Sequence, residues 1–336
     1  MKNNAGNNLR SPLPWVPGET PAGLVGVGLM GSSIAACLLI AGHPLAAVEL
    51  DASKRRRAHS RVRALLDGAR EERLLKGEPS KVIQRFTLSG DYSVLAASRI
   101  VIESTVEDLR TKRQVIRQVE RVVSPETIIG SNTSALPITS LQKGARHPER
   151  ILGIHWGEPA HVLRFMEIIC GQETRRAHAD RVMTLARRWG KEPSLVRRDV
   201  RGFITNRVMY AMLREAFNLV EAGYASIADV DRSLRNDYGY WMTFAGPFRY
   251  MDLTGVPAYA AVMRDLFPDL SCSKRVPRLM KRVVRSGARG VSNAKGFYRY
   301  TPAQARRWEK LFLKFSYEIR ALAQRYPEDV GDRPAR

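Results

Sequence analysis

A chain of 336 residues, 44% hydrophobic and 26% charged, has the balance of an ordinary globular protein and is long enough for two cores. No apolar run approaches the roughly 18 residues a membrane span needs. Three cysteines (Cys37, Cys170, Cys272) make no disulfide framework, so a cytoplasmic protein is expected.

Residues 1–20, rich in Asn, Pro and Gly and without an apolar leader, predict a disordered lead-in. AGLVGVG (22–28) then reads as a strand ending in glycines, LMGSSIAACLLIAGH (29–43) as a helix closed at Gly42, and PLAAVELD (44–51) as a second strand. Basic helices are predicted over 52–77 and a strand over 84–90. Further strands follow at 99–105, 127–134, 150–156 and 164–171, with a helix near 107–123. Alternating strands and helices predict a Rossmann-type doubly wound parallel sheet over 21–199. Beyond the boundary near 200 the pattern turns helical. A helix is predicted over 204–223, and Ser226 caps another to about 235, within a mostly α-helical C-terminal domain over 200–325 and a tail at 326–336.

The net charge of +22 raises the question of a nucleic-acid partner. The densest runs, KRRR (54–57) and RVPRLMKRVVRSGAR (275–289), carry no interleaved aromatics and match no DNA- or RNA-binding motif, so none is expected.

Gly26, Gly28 and Gly31 form G-x-G-x-x-G between a strand and a helix, with Leu29 and Met30 inside the turn. The first glycine allows a tight turn, the second a close approach of backbone to pyrophosphate, the third close helix–strand packing. Glu49 ends the second strand about 20 residues on, where a carboxylate binds the adenosine ribose hydroxyls and repels a 2′-phosphate. NAD is therefore expected rather than NADP, with Asp51 as the alternative acid and Arg55, Arg56 and Arg57 close by. Farther on, GIHWGEPAHVLRFMEI (153–168) sets His155 and Glu167 in a largely apolar stretch, with Glu158 between them. They are either tolerated polar residues or a pair that does proton chemistry. A metal site from His155, Glu158 and His161 is disfavoured, because H-E-x-x-H spacing is absent and Pro159 interrupts any helix. A Ser-His-Glu hydrolase would need a G-x-S-x-G turn, and none occurs. Cys37 and Cys170 read as buried small residues.

The segments GVGLMGSSIA, VIESTVEDLRTK, GSNTSALPIT, HPERILGIHW, RFMEII, RGFITNRV and NAKGFYRY, in this order, resemble the L-3-hydroxyacyl-CoA dehydrogenase family over about residues 22–300. The resemblance implies oxidation of a secondary alcohol such as 3-hydroxybutyryl-CoA to its 3-oxo product, with NAD as cofactor. It makes His155 the catalytic base and Glu167 its orienting carboxylate. Ser134 and Asn206 would hold the substrate oxygen, and Glu107 and Lys112 would lie near the nicotinamide. It also implies a homodimer formed through the second domain; the helix at 204–222 carries Ile204, Val208, Met209, Met212, Phe217, Leu219 and Val220 on more than one side. Trp156-Gly157-Glu158-Pro159 replaces the family's Phe-Phe-Asn-Pro run, and YGYWMTFAGPFRYMDLTG (238–255) is heavy in aromatics. Both features point toward a non-CoA hydroxyacid or alcohol as the alternative substrate, with Glu158 in contact with it. A non-enzymatic NAD-binding protein is the alternative of another class.

Overall fold

The computed structural model describes residues 15–326. The chain divides after Ile204 into two compact units. In the first, a sheet of eight strands is built from β1 (Ala22–Val25), β2 (Leu45–Val48), β3 (Phe86–Ser89), β4 (Ile100–Glu103), β5 (Ile128–Ser131), β6 (Ile151–Trp156), β7 (Phe165–Cys170) and β8 (Glu192–Val196). Six helices accompany them: α1 (Leu29–Ala41), α2 (Ala52–Glu71), α3 (Pro79–Val82), α4 (Leu109–Val122), α5 (Ile138–Gln142) and α6 (Arg176–Arg188).

The strand order is β3-β2-β1-β4-β5-β6-β7-β8, with the order reversing at β1, as in doubly wound folds that bind ligands at the switch point. All neighbours are parallel except β6 and β7, which pair antiparallel, so β7 and β8 run against the first six strands. The expected doubly wound parallel sheet is present, with the β6–β7 pair as its one antiparallel neighbour. A short turn through 157–163 reverses the chain where a helical crossover would have kept it parallel.

Alternation along each strand sorts the core into two faces. Leu24, Ile102, Ile128, Leu152 and Ile154 meet α1, α2 and α6 through Ile34, Leu38, Leu66 and Leu185. Val25, Val101, Ile129 and Ile151 meet α4 and α5 through Ile116, Val119 and Ile138. Each such fully buried side chain contributes about 1.5–3 kcal/mol, so both faces are well anchored. On the same alternation His155 and Glu167 fall on the second face, out of phase with Ile154 and Ile168.

Several boundaries differ from expectation. Residues within the expected lead-in are already structured: Pro17–Glu19 forms a 3-10 turn, Pro17 and Thr20 are buried, and Arg99 and Arg181 lie over the Trp15 ring. The rest of the expected lead-in, and all of the expected tail except Tyr326, lie outside the described residues. The basic stretch after residue 52 is one helix to Glu71 and then the short α3. Helix α6 and strand β8 were not anticipated; Pro193 within β8 obscures its strand signal and is tolerated there at a sheet edge.

The second unit is helical, as expected: α7 (Thr205–Glu221), α8 (Ile227–Asn236), α9 (Tyr238–Met242), α10 (Pro247–Thr254), α11 (Val256–Leu266), α12 (Arg278–Arg285) and α13 (Pro302–Ala323). The Ser226 side chain caps α8 by accepting from the Asp229 N–H, and Thr301 with Gln304 forms a capping box on α13. No described helix is long and apolar enough to cross a membrane.

Candidate active site

The glycine turn follows β1. Gly26 has φ +88°, and a Cβ there would lie 2.6 Å from the Ser104 carbonyl oxygen. A Cβ on Gly31 would lie 2.0 Å from the Gly26 carbonyl oxygen, so both positions exclude any side chain. Gly28 faces open space, and as the N-cap of α1 it offers no side-chain oxygen. With no acidic residue in the first turn, the leading N–H groups and positive dipole end of α1 are presented to an anion. Leu29 is exposed and Met30 half-buried at the same turn.

Glu49, just past β2, lies against this loop: its Oε2 accepts from the Val27 N–H at 3.2 Å and its Oε1 from the Asp51 N–H at 3.3 Å. Asp51 is engaged otherwise. It caps α2, accepting from the Ser53 hydroxyl and the Ser53 and Lys54 N–H groups, which hold its carboxyl down to about 2. Arg55 donates to the carbonyls of Glu49 and Leu50. An open glycine, an uncapped helix start and an adjacent carboxylate fit a dinucleotide.

His155 and Glu167 are direct partners across the antiparallel β6–β7 pair. The Nδ1 of His155 lies 2.9 Å from the Oε2 of Glu167, and both residues are buried. The other oxygen, Oε1, accepts from the Ile204 N–H at 3.1 Å. The ring of His155 is held between Phe165, edge-on at 5.4 Å, and Phe203 at 5.6 Å. A carboxylate accepting from Nδ1–H fixes the tautomer, leaving the Nε2 lone pair to take a proton. The structure thus brings together the two residues singled out by sequence.

The turn after β5 is tied to a second polar network. Glu107 Oε1 accepts from the Thr133 hydroxyl at 2.6 Å and from the N–H groups of Ser134 and Ala135 at 3.0 and 3.1 Å. Its Oε2 lies 3.6 Å from the Lys112 ammonium. Lys112 has no exposed surface; it donates to both oxygens of Glu103 at 2.9 and 3.0 Å and to the Thr105 carbonyl. Ser131 and Thr105 complete the shell around Glu103. Lys112 is thus engaged by Glu103, Thr105 and Glu107, whereas Glu107 braces the turn that carries Ser134. Asn206 lies in the first turn of α7, in the second unit.

Between β6 and β7 the loop 157–163 is held from below. Lys191 donates to the Ala160 and Leu163 carbonyls, with its ammonium 5.2 Å from the Trp156 ring. His161 Nδ1 lies 2.9 Å from the Ser33 hydroxyl of α1, so His161 is part of the scaffold. No group of metal-ligating side chains occurs among the described residues. Glu158 is the one exposed residue between Arg150 and Gly171, and the protein crowded about its carboxyl raises it to about 7.

Comparison with known proteins agrees with this geometry. Residues 21–200 match the 3-hydroxyacyl-CoA dehydrogenase NAD-binding domain, and residues 202–300 match the C-terminal domain of the same enzymes. The chain belongs to the 3-hydroxyacyl-CoA dehydrogenase family. NAD is its cofactor, and its relatives are NAD-dependent dehydrogenases. Among curated proteins it is 32% identical to a 5-formyl-3-hydroxy-2-methylpyridine 4-carboxylate 5-dehydrogenase of Mesorhizobium japonicum, over 84% of this chain and 91% of that one. It is also 32% identical to a Mycobacterium tuberculosis 3-hydroxybutyryl-CoA dehydrogenase, over 83% of this chain and 97% of that one. A solved structure of a 5-formyl-3-hydroxy-2-methylpyridine 4-carboxylic acid 5-dehydrogenase, described as an NAD⁺-dependent dismutase, superposes with a TM-score of 0.85 at 28% identity, covering 91% of this chain and 99% of that one. For (S)-3-hydroxybutyryl-CoA dehydrogenase from Ralstonia eutropha the TM-score is 0.70 at 28% identity, covering 84% and 99%.

Three residues of this dehydrogenase site escaped the sequence reading. Glu103 looked like a strand residue and is a fully buried carboxylate. Asn132 bridges strand ends, accepting from the Trp156 N–H at 3.1 Å and donating to Ser104 at 3.2 Å. Phe203 sits on the His155 ring with φ +51°. All three lie in segments that carry the family resemblance, VIESTVEDLRTK, GSNTSALPIT and RGFITNRV, but each has a partner far away in sequence, Ser131, Trp156 and His155 respectively.

Proposed function

We propose that this dehydrogenase acts on a small polar substrate without CoA, a carboxylated ring compound bearing an oxidisable hydroxyl or aldehyde. The observation that carries the chemistry is the buried His155–Glu167 pair at 2.9 Å. His155 Nε2 takes the hydroxyl proton as the carbonyl forms, and Glu167 stabilises the imidazolium that results. NAD, which Gly26, Gly28, Gly31 and Glu49 would hold, would supply the hydride acceptor. An aldehyde would enter as its hydrate, whose carbon carries both the hydroxyl and the hydrogen that leaves. Ser134, on the turn braced by Glu107, holds the reacting oxygen by a hydrogen bond, a role that strengthens as negative charge develops there and that the family resemblance also gives to Asn206.

Three observations support the substrate class: the pyridine-carboxylate dehydrogenase resemblance covers more of this chain and superposes more tightly than the hydroxybutyryl-CoA one, Glu158 stands in the turn after the base, and its carboxyl sits near neutrality. A group able both to donate and to accept hydrogen bonds suits a heteroaromatic ring better than an alkyl chain. The second reading is oxidation of a short 3-hydroxyacyl-CoA such as 3-hydroxybutyryl-CoA to the 3-oxo product, supported by the match to both domains of the acyl-CoA enzymes. The test is NAD(P)H production over a panel of pyridine-carboxylate alcohols and aldehydes and of short 3-hydroxyacyl-CoAs, each with NAD and with NADP. We expect kcat/KM for the best ring compound to exceed that for the best CoA ester by about tenfold or more, a difference of about 1.4 kcal/mol. The reverse order returns the chain to the acyl-CoA reading, and a preference for NADP removes the role assigned to Glu49.

The partner is a second copy of the chain, joined through the helical unit, and the compartment is the cytoplasm. The first rests on the unburied apolar faces of that unit, including Val208, Phe248 and Phe312 at 52%, 79% and 56% exposure. The second rests on three cysteines that are all free.

A further inference from the structure

The geometry points to a binding site for a small polyanion, carrying phosphate or clustered carboxylate groups, on the edge of the sheet away from the glycine turn, with the occupant felt at the His155–Glu167 pair. The site is a cleft of about 890 Å³ lined by Thr139, Arg176, Arg197, Arg198, Asp199 and Val200, among others. Cys170, which also lines it, pairs with Leu152 near the start of β6, and this fixes its place at the amino ends of the parallel strands.

Its charge is uncompensated. Three guanidiniums face one carboxylate, and Arg176 is already paired with Asp180 at 2.7 Å. Both oxygens of Asp199 are taken up by Thr139, accepting from its N–H at 2.6 Å and its hydroxyl at 2.9 Å. Arg197 and Arg198 are exposed and make no hydrogen bond or ion pair with a described residue. Two unpaired guanidiniums beside each other in a concave wall repel, and a multivalent anion relieves that repulsion while accepting bidentate hydrogen bonds.

The link to the reacting pair is short. Val200 lines the cleft, and its carbonyl accepts from the Phe203 N–H at 2.9 Å. Phe203 is held at φ +51°, a strained conformation for a bulky residue, with its ring on His155. The next N–H, that of Ile204, donates to Glu167. Along β7, Cys170 is three residues from Glu167, roughly 10 Å. An anion that fixes residues 197–200 therefore acts on the segment that seats both members of the pair.

The test uses the full chain saturated with NAD, so that the dinucleotide site is occupied. Inorganic pyrophosphate and citrate are titrated separately at constant ionic strength made up with chloride, reading the melting temperature and kcat/KM. Saturable stabilisation by at least one of the two is expected, weakened about tenfold or more in Arg197→Gln and Arg198→Gln and unchanged in Arg188→Gln, which lies outside the cleft. Pyrophosphate alone marks a phosphate site and citrate alone a carboxylate site. A response to neither, or an equal response in the cleft variants and the wild type, overturns the site. Saturable binding that leaves kcat/KM unmoved overturns the link to His155. This inference stands apart from the choice of substrate, since any substrate the enzyme turns over serves as the reporter.

Discussion

The two units of the chain bury their apolar residues to very different degrees. In the sheet unit the strands are almost wholly buried except the edge strands β3 and β8, and both faces carry contiguous clusters. In the helical unit α7 through α12 contain no buried residue within their spans; between Thr205 and Thr301 only Ala245 is buried. Yet that unit exposes Tyr240, Phe244, Phe248, Phe267, Trp308, Phe312 and Phe315. A soluble monomer leaves single apolar residues exposed, and the number of exposed aromatic side chains in this unit is the observation on which the proposed dimer rests. The sheet unit holds both apolar clusters and the hydrogen-bonded His155–Glu167 pair; the helical unit buries few residues.

The largest effect that separates them is on catalysis. His155→Ala and Glu167→Gln should each lower turnover about 10²–10⁴-fold, the share of general-base catalysis, while NAD affinity and assembly stay near wild type. Steady-state kinetics, nucleotide titration and light scattering check all three. A His155→Ala enzyme keeping more than roughly half its activity would remove the base from this site.

Next is the contrast between ion pairs. Lys112 and Glu103 are fully buried, so Lys112→Met leaves an uncompensated buried carboxylate and should cost about 3–5 kcal/mol in denaturant unfolding. In the helical unit the Arg232–Asp229 pair is exposed on both sides, and Arg232→Gln should cost under about 1 kcal/mol. Similar losses in the two variants would mean the burial contrast does not govern stability.

Val208→Asp probes the exposed face directly. If α7 faced solvent, the change would stay within about 0.5 kcal/mol. Covered by a second copy, the same face should lose about 2 kcal/mol or more of association, with a melting temperature that falls on dilution. A monomer mass for the wild type that does not change with concentration would end the dimer proposal.

What the sequence disclosed follows the same division. Gly26, Gly28 and Gly31 were legible because a tight turn and a close backbone approach admit few residue types, and Glu49 because its spacing from them is set by one crossover. His155 and Glu167 were legible as polar residues in apolar strands, and their family resemblance assigned the roles. Their register was not: periodicity gives the face of each strand, whereas the antiparallel β6–β7 pairing is a property of the chain reversal. Lys191 carries no sequence signal, yet it is buried and donates to two loop carbonyls, because its partners lie far away in sequence. In the helical unit the apolar residues on several sides of α7 were visible, but periodicity does not say which face another chain covers.

The smallest effect concerns Glu158, and it has the opposite sign from its counterpart in the helical unit. Burial raises the Glu158 carboxyl from 4.5 to about 7, so the folded chain holds its proton over a range where the unfolded chain has lost it. With more protons bound in the folded state, stability falls as pH rises through that window, from about 4.5 to about 7. Asp229 is lowered by the Ser226 hydroxyl and by Arg232, so its contribution is present above its unfolded value and is lost as pH falls. Glu158 is also exposed at its surface, and solvent screening keeps its slope well under the one-proton limit of about 1.4 kcal/mol per pH unit. Glu158→Gln should therefore flatten the decline in stability between pH 5 and 7 (approximate bounds of that window), and Asp229→Asn should leave it in place. Urea midpoints for the three proteins across the window measure this. Superimposable wild-type and Glu158→Gln profiles would mean the carboxyl titrates as in bulk water, and that would remove its near-neutral state as support for a ring-bearing substrate.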